Sequence, residues 1–137
     1  MVSASRSKAT VLVVEDDTLT RELLTQLLCA GGFDVMAVPT GDRALLTLCH
    51  LGEEIDWLVS KVCLPGLVCG WILADEYHEH HPDRPALLLS DLDPAEKPSA
   101  NAVFIPPLAP MRVLEVLQAL KSPESTQVLP FPITQAA

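Results

Sequence analysis

The chain has 137 residues, a length that suits one domain with a sizeable core and excludes two ordinary domains. Hydrophobic residues make up 49% of the sequence and charged residues 20%, a balance that excludes extensive disorder. The formal net charge of −9 repels phosphate backbones and anionic membrane surfaces. We therefore expect no direct binding to nucleic acid and none to membranes.

Apolar runs alternate with segments of helical period, which is the pattern of a parallel sheet covered by helices on both faces. The predicted strands cover residues 10–14, 33–38, 55–60, 85–90 and 102–105. The predicted helices begin near Thr18, Gly41, Trp71 and Pro110. These elements predict an α/β fold with a doubly wound, five-stranded parallel sheet.

Apolar spacing predicts which side chains of the helices face the sheet. The expected inner positions are Leu19, Leu23, Leu24, Leu27 and Leu28 in the first helix, Ala44, Leu45, Leu48 and Cys49 in the second, and Met111, Leu114, Leu117 and Leu120 in the last. Cys29 and Cys49 fall within these patterns, and no C-x-x-C pair occurs. We predict buried free thiols there, in preference to a disulfide or zinc framework.

The N-terminal residues lack the apolar segment of a secretory signal. No apolar run approaches the roughly 18 to 20 residues that cross a bilayer. We expect a cytoplasmic protein.

Functional groups of a doubly wound sheet gather at the carboxyl ends of its strands. The residues that follow the predicted strands there are 15–17, 61–66, 90–93 and 105–108. Neither a G-x-G-x-x-G fingerprint nor a P-loop occurs, so nucleotide binding has no support and we expect no cofactor.

At these places the chain resembles the receiver domain of two-component response regulators, over roughly residues 9–121. VLVVEDD at residues 11–17 is similar to the family's first strand and acidic pair, and DWLVSKVCLPG at 56–66 to its third strand and following turn. LLLSD at 87–91 places Ser90 on the Ser/Thr switch position. The resemblance implies a flavodoxin-like sheet of order 2-1-3-4-5 and Mg²⁺ ligands at Glu15 and Asp16.

The same resemblance implies that the phosphorylation pocket is degenerate. Lys61 falls where the family has its phospho-accepting aspartate, and an ammonium cannot form an acyl phosphate. Pro106 falls where the family has the lysine that pairs with the phosphate. No catalytic residue is therefore expected, and the degenerate pocket is predicted to consist of Glu15, Asp16, Lys61, Ser90 and Pro106.

The Lys61 ammonium is expected to point toward Glu15 and Asp16. These two acids either bind a metal or form an internal ion pair with Lys61, and we favour the ion pair, with no metal expected. Ser90 is either a remnant of the switch or a hydroxyl that caps the following turn, and we favour the cap. Ser60 should face away from the pocket, because neighbouring strand residues alternate between the two faces.

Two other sites have weaker support. His78 and His81 have a spacing that could hold Zn²⁺, but solvated histidines before Pro82 are the favoured interpretation. Lys61 as a catalytic amine is disfavoured because neighbouring carboxylates raise its pKa.

Residues 91–101 hold two prolines and little apolar period, which predicts that the helix between the fourth and fifth strands is shortened or missing. We predict three segments: an N-terminal extension at 1–8, a receiver-like domain at 9–121 and a Pro-containing tail at 122–137.

The predicted function is non-enzymatic: a phosphorylation-independent protein-interaction module in signal transduction or transcriptional regulation. The expected partner is a signalling protein or an output domain, and a homodimer is also compatible with the sequence. The alternative is a pseudo-receiver that senses a small apolar ligand in a groove opened by the shortened 91–101 segment.

Overall fold

The computed structural model describes residues 8–90, 101–107 and 109–121. Within these ranges the strands are β1 (Thr10–Val14), β2 (Asp34–Val38), β3 (Trp57–Lys61), β4 (Ala86–Leu89) and β5 (Ala102–Ile105). The α-helices are α1 (Thr18–Ala30), α2 (Gly41–Leu51), α3 (Gly70–His80) and α4 (Pro110–Lys121), and a 3₁₀ turn spans Gly52–Glu54.

The sheet is parallel throughout, with strand order β2-β1-β3-β4-β5. In its register Val13 of β1 lies beside Ala37 of β2 and Val59 of β3. The order reverses at β1, so the chain winds outward in both directions from the centre. The predicted doubly wound α/β fold and its strand order are confirmed.

Two apolar cores lie on the two faces of the sheet. Val11 and Val13 of β1 join the core under α1 and α4, while Leu12 and Val14 join the core under α2 and α3. All four side chains are fully buried, because both faces of this central strand are covered. The continuous apolar run VLVV at residues 11–14 therefore follows from the burial of β1 on both sides.

The prediction for the inner face of α1 was partly wrong. Leu24 and Leu28 are buried, but Leu19 is 78% exposed and Leu23 is 46% exposed. A helix turns by 100° per residue, so the four-residue spacing of Leu24 and Leu28 selects one narrow stripe against the sheet. The leucines outside that stripe widen the apolar pattern in the sequence without entering the core.

The prediction of buried thiols was also wrong. Cys29 and Cys49 are free and exposed, and each directly follows the leucine that its helix does bury, Leu28 or Leu48. In α4, Met111 is 51% exposed, and the buried residues are Val113 and Leu117. The predicted Leu114 and Leu120 are partly buried against the same core, so Met111 is the one predicted inner residue of α4 that is exposed.

The third strand begins later than predicted and extends one residue further, to Lys61. Residues before it are held by polar contacts at the amino edge of the sheet, the edge where the strands begin. The carbonyl oxygen of Asp56 accepts hydrogen bonds from Tyr77 Oη and from Arg84 Nη1, each at 2.9 Å. The Asp56 carboxylate accepts a bond of 2.8 Å from the backbone N–H of Thr10. These bonds join the starts of β1 and β3 to α3.

The connection between β4 and β5 comprises residues 90–101, and the predicted shortening or loss of a helix falls on this segment. Its residues 91–100 lie outside the described residues, as do the predicted tail and residues 1–7 of the predicted extension. In the described part of the chain, none of the helices is long and apolar enough to span a membrane.

Candidate functional site

The candidate site lies at the carboxyl edge of the sheet, the edge where the parallel strands end. Glu15 directly follows β1, Lys61 is the last residue of β3, and Ser90 directly follows β4. Backbone hydrogen bonds hold these ends together: Glu15 N donates to Val38 O at 3.2 Å and Val62 N donates to Leu89 O at 3.1 Å. The fold thus brings together side chains that are far apart in the sequence.

Glu15 is the buried acid of the site, with only 3% of its side chain exposed. Its Oε2 atom accepts a hydrogen bond of 3.0 Å from the Asp17 backbone N–H. Burial raises the pKa of Glu15, although the Asp17 amide and the charge of Lys61 act against this rise. The carboxylate is therefore costly to leave charged without a nearby cation.

Lys61 supplies that cation. Its Nζ lies 3.6 Å from Glu15 Oε2 and 3.1 Å from Asp16 Oδ1, so the ammonium contacts both acids. The hydrogen bond to Asp16 raises the pKa of Lys61, against the smaller effect of burial. Lys61 is therefore protonated at neutral pH.

Asp16 forms the outer part of the site, with 37% of its side chain exposed. Burial acts to raise the pKa of Asp16, but the hydrogen bond from Lys61 and the Asp16 backbone amide together lower it below its ordinary value. Asp16 and Lys61 thus stabilise each other's charged forms. The pair is partly open to solvent, and solvent screening keeps the contribution of such pairs small.

Two neighbours of the acids were not singled out in the sequence. Arg21 Nη1 donates a 2.9 Å hydrogen bond to the backbone oxygen of Glu15. Asp17 caps α1 by accepting bonds from the N–H and the hydroxyl of Thr20, at 2.9 and 2.7 Å, and these bonds lower the pKa of Asp17. Asp followed by Thr three residues later, before an apolar helical run, is the signal that could have identified the cap.

The other predicted pocket residues lie along the same edge. The Ser90 backbone N–H donates to Ile105 O at 2.9 Å, which joins the ends of β4 and β5. Pro106 directly follows β5 and is exposed, and its carbonyl accepts a bond of 3.2 Å from Ala109 N. Ser60 is fully buried within β3, and its hydroxyl donates to the Lys61 carbonyl at 2.9 Å.

The loop from β3 to α3 closes tightly on itself. Gly70 N donates to Val62 O at 2.9 Å, and a β-carbon at residue 70 would lie 2.5 Å from the Lys61 carbonyl oxygen. Only glycine allows this approach, because any other residue would clash with the backbone of β3. The loop then passes over the start of α2, where a β-carbon on Gly41 would collide with the Val68 carbonyl.

The histidines near the end of α3 are half-buried, so the expectation that they are solvated was wrong. His81 Nε2 lies 3.0 Å from Gly52 O, and the His80 ring packs against the Cα of Gly52. His80 Nε2 also lies 3.5 Å from Glu76 Oε2, an ion-pair distance too long for a good hydrogen bond. Within the described ranges, no group of three or more His, Cys, Asp or Glu side chains is arranged to hold a metal.

Several solved structures are similar to this chain in fold. A response regulator receiver protein from Sinorhizobium medicae superposes with a TM-score of 0.74 over 83% of this chain and 94% of that one, at 22% identity. The receiver domain of the hybrid histidine kinase CckA gives a TM-score of 0.67 over 81% and 97%, at 26% identity. The chain has the fold of a response-regulator receiver domain. The CheX–CheY–BeF3–Mg complex of Borrelia burgdorferi is also similar to this receiver fold, with a TM-score of 0.65 over 82% of this chain and 88% of that one, at 20% identity.

Sequence comparison agrees with the receiver fold over part of the chain. The response regulator protein FleR of Pseudomonas aeruginosa is 35% identical over 60% of the chain, and a cyclic di-GMP phosphodiesterase of Thermotoga maritima is 41% identical over 42% of it. The matched segments span 17% and 15% of those two proteins. No family model matches the chain.

Proposed function

We propose that this chain is an atypical receiver domain in which Lys61 takes the place of the phospho-accepting aspartate. It acts as a phosphorylation-independent protein-interaction module in signal transduction or transcriptional regulation. The observation that carries the proposal is the Lys61 ammonium, which lies 3.6 Å from the Glu15 carboxylate and 3.1 Å from that of Asp16.

Chemical considerations support this function. Phosphoryl transfer to a receiver would need a carboxylate nucleophile and a divalent cation beside the acids. A protonated amine at the end of β3 offers no nucleophilic lone pair, and its positive charge repels a second cation. The raised pKa of Lys61 keeps the amine in that form at neutral pH. Glu15, Asp16 and Lys61 thereby form an internal ion-pair site that requires no metal.

The rest of the predicted pocket fits the same function. Pro106 follows β5 at the same edge of the sheet, and its ring nitrogen has neither a charge nor a proton to offer a phosphate. Ser90 serves to join the ends of β4 and β5 through its backbone, and its hydroxyl is not needed for a phosphoryl group. We assign the receiver unit to residues 9–121 and expect no enzymatic activity from it.

The partner is a signalling protein or an output domain. The solved receiver-fold complex of CheX with CheY supports this class of partner, since it is an assembly between two proteins. A homodimer would be an additional assembly of the same kind. In each case we expect association to be independent of phosphodonors, because Lys61 stands where the family has its phospho-accepting aspartate.

The direct test is incubation of the protein with Mg²⁺ and acetyl phosphate, followed by intact-mass measurement. We expect no phosphate adduct, and sedimentation velocity should give the same assembly state with and without the phosphodonor. An adduct localised to an aspartate would refute the proposal.

Lys61→Asp tests the site from the opposite direction. The substitution removes the internal cation and adds a third carboxylate, so Mg²⁺ binding measured by calorimetry should rise at least about tenfold. Lys8→Asp is the matched control, because it makes the same charge change at an exposed residue before β1, at the other edge of the sheet. Equal Mg²⁺ affinity in the two variants would show that Lys61 does not occupy a cation site.

The alternative of small apolar ligand sensing depends on a groove beside residues 91–101, most of which lie outside the described residues. Nearby, Trp71 and Phe104 make a tilted ring contact with centroids 5.8 Å apart. This contact is ordinary core packing and does not favour a ligand site over the interaction module.

A further inference from the structure

Two cysteines flank the narrow neck of the β3–α3 loop, which comprises residues 62–69. At the neck, Gly70 N donates to Val62 O at 2.9 Å, and a β-carbon built on Gly70 would lie 2.9 Å from the Val62 Cα. The backbones of residues 62 and 70 are therefore in direct contact. Cys63 and Cys69 are the next residues into the loop, one on each side of this contact.

Both thiols are available for chemistry. Cys63 is exposed, Cys69 is partly exposed, and both are free. A disulfide needs Cα atoms about 4.4–6.8 Å apart. Cys63 and Cys69 are each one residue away from the contact between residues 62 and 70, a position that suits this separation. The turn between the cysteines contains Gly66, whose φ of 94° lies in the left-handed region. The two ends of the loop are thus held together by the contact between residues 62 and 70.

We propose that Cys63 and Cys69 are an oxidant-responsive pair that forms a reversible intrachain disulfide when a peroxide is the oxidant. One thiolate attacks a peroxide oxygen and becomes a sulfenic acid, releasing water once a proton is taken up. The second thiol attacks the sulfenic sulfur, the S–S bond forms and a second water leaves. Two thiols lose two electrons in total, and the peroxide is reduced to two waters.

The bridge would act on the segment that directly follows Lys61. It would fix the residue two positions after Lys61 to the residue before α3, and so hold the loop closed over the start of α2. This inference does not depend on the role of Lys61 in the proposed function. Phosphodonor and Mg²⁺ experiments test that role, whereas the present inference is tested by thiol chemistry alone.

The chain contains its own control thiols. Cys29 and Cys49 are also free and exposed, but they lie near the carboxyl ends of α1 and α2. Helices of this fold run opposite to the strands, so both residues lie at the amino edge, away from the β3–α3 loop. In addition, α1 and α2 cover opposite faces of the sheet, which separates the two control thiols from each other.

The test is oxidation of the folded protein with hydrogen peroxide, alkylation of the remaining thiols and tryptic mapping without reduction. Cys63 and Cys69 fall in one tryptic fragment that contains no other cysteine, because Lys61 precedes both and no further cysteine follows. That fragment should lose about 2 Da, and dithiothreitol should reverse the loss. We expect the pair to form about tenfold faster than any other cysteine pair in the chain, since its ends are held together.

Variants decide between this pair and accidental oxidation. Cys63→Ser and Cys69→Ser should each abolish the intrachain bridge, while the Cys29→Ser/Cys49→Ser double variant should retain it at the native rate. The bridge should also form more slowly in urea than in the folded protein, because the neck is then open. Bridges to Cys29 or Cys49, bridges only between molecules, sulfinic acid without a bridge, or a rate unchanged by urea would each overturn the proposal.

Discussion

Lys61→Met is the sharpest test of the electrostatics of the site. Methionine keeps an unbranched, flexible side chain but removes the ammonium that contacts Glu15 and Asp16. Two unit charges 3.6 Å apart, the distance from Lys61 Nζ to Glu15 Oε2, attract by roughly 1 kcal/mol in water and roughly 5 kcal/mol at an effective dielectric constant of about 20. The remaining bond from the Asp17 amide and the packing of methionine offset part of the loss. We expect the free energy of unfolding at pH 8 to fall by about 1–3 kcal/mol.

The dependence of this loss on pH distinguishes an electrostatic effect from a packing effect. Burial already raises the pKa of Glu15 above its ordinary value of 4.5, and removing Lys61 should raise it further. Between the unfolded and folded pKa values the folded protein holds the extra proton, so the free energy of unfolding falls as pH rises through this window. The deficit of Lys61→Met should therefore be largest above the folded pKa of Glu15 and should shrink as pH falls toward 4.5.

Urea unfolding followed by circular dichroism at several pH values measures both effects. Lys8→Met is the matched control, since it removes a charge from an exposed residue before β1. It should change the free energy of unfolding by less than about 0.5 kcal/mol. A Lys61→Met deficit that is absent at pH 8, or that is constant with pH, would refute the assignment of Lys61 as the cation that compensates Glu15.

Three further substitutions test the packing around the site. Gly70→Ala should lower the free energy of unfolding by about 2–4 kcal/mol, because its β-carbon would lie 2.5 Å from a backbone oxygen of β3. A free energy of unfolding within about 0.5 kcal/mol of wild type would contradict this close approach. Leu24→Ala should lower the free energy of unfolding by about 2–5 kcal/mol, and Leu23→Ala should lower it by less than about 1 kcal/mol. Similar losses for the two variants in urea titrations would show that the inner face of α1 is assigned wrongly. Tyr77→Phe should lower the free energy of unfolding, measured by thermal unfolding, by only about 0.5–1.5 kcal/mol, since Arg84 still donates to the Asp56 carbonyl. A loss above about 3 kcal/mol would mean that this second donor does not compensate for the lost hydroxyl.

Much of the fold could be predicted from the sequence because the parallel sheet imposes a strong pattern. VLVV at residues 11–14 is apolar at every position, as expected for a strand that is covered on both faces. The bounds of β5 and the first residues of α2 and α4, Gly41 and Pro110, were also predicted as they occur. The end of β3 was harder to predict, since Lys61 is polar yet continues the ladder by pairing with Leu89.

The burial of individual helix residues could be predicted less accurately than the strands of the sheet. Met111 and Leu19 satisfy a helical apolar spacing, but the angle at which each helix meets the sheet decides which side chains reach the core. That angle depends on neighbours distant in the sequence. The same limit applies to Cys29 and Cys49, which lie one residue away from buried leucines and therefore face solvent.

In the candidate site, the positions of the charged side chains could be predicted, but the contacts to backbone atoms could not. Lys61, Glu15 and Asp16 could be placed at one edge because the ends of parallel strands must meet there. Arg21 and Gly70 were missed, since their roles depend on backbone atoms, the carbonyls of Glu15 and Lys61, that leave no trace in the pattern of side chains. Contacts made to the backbone are generally the part of a site that a single sequence does not reveal.

The contact of Lys61 with Glu15 and Asp16 also determines how the site responds to its surroundings. A metal ion exchanges with the solution, so its occupancy varies with the concentration of free ions. The ammonium of Lys61 is tethered covalently through β3, so its local concentration is set by the chain and dilution cannot remove it. If Lys61 acts as proposed, we expect the charge balance of this edge to be set by the folded chain and to be insensitive to changes in magnesium or chelator concentration around it.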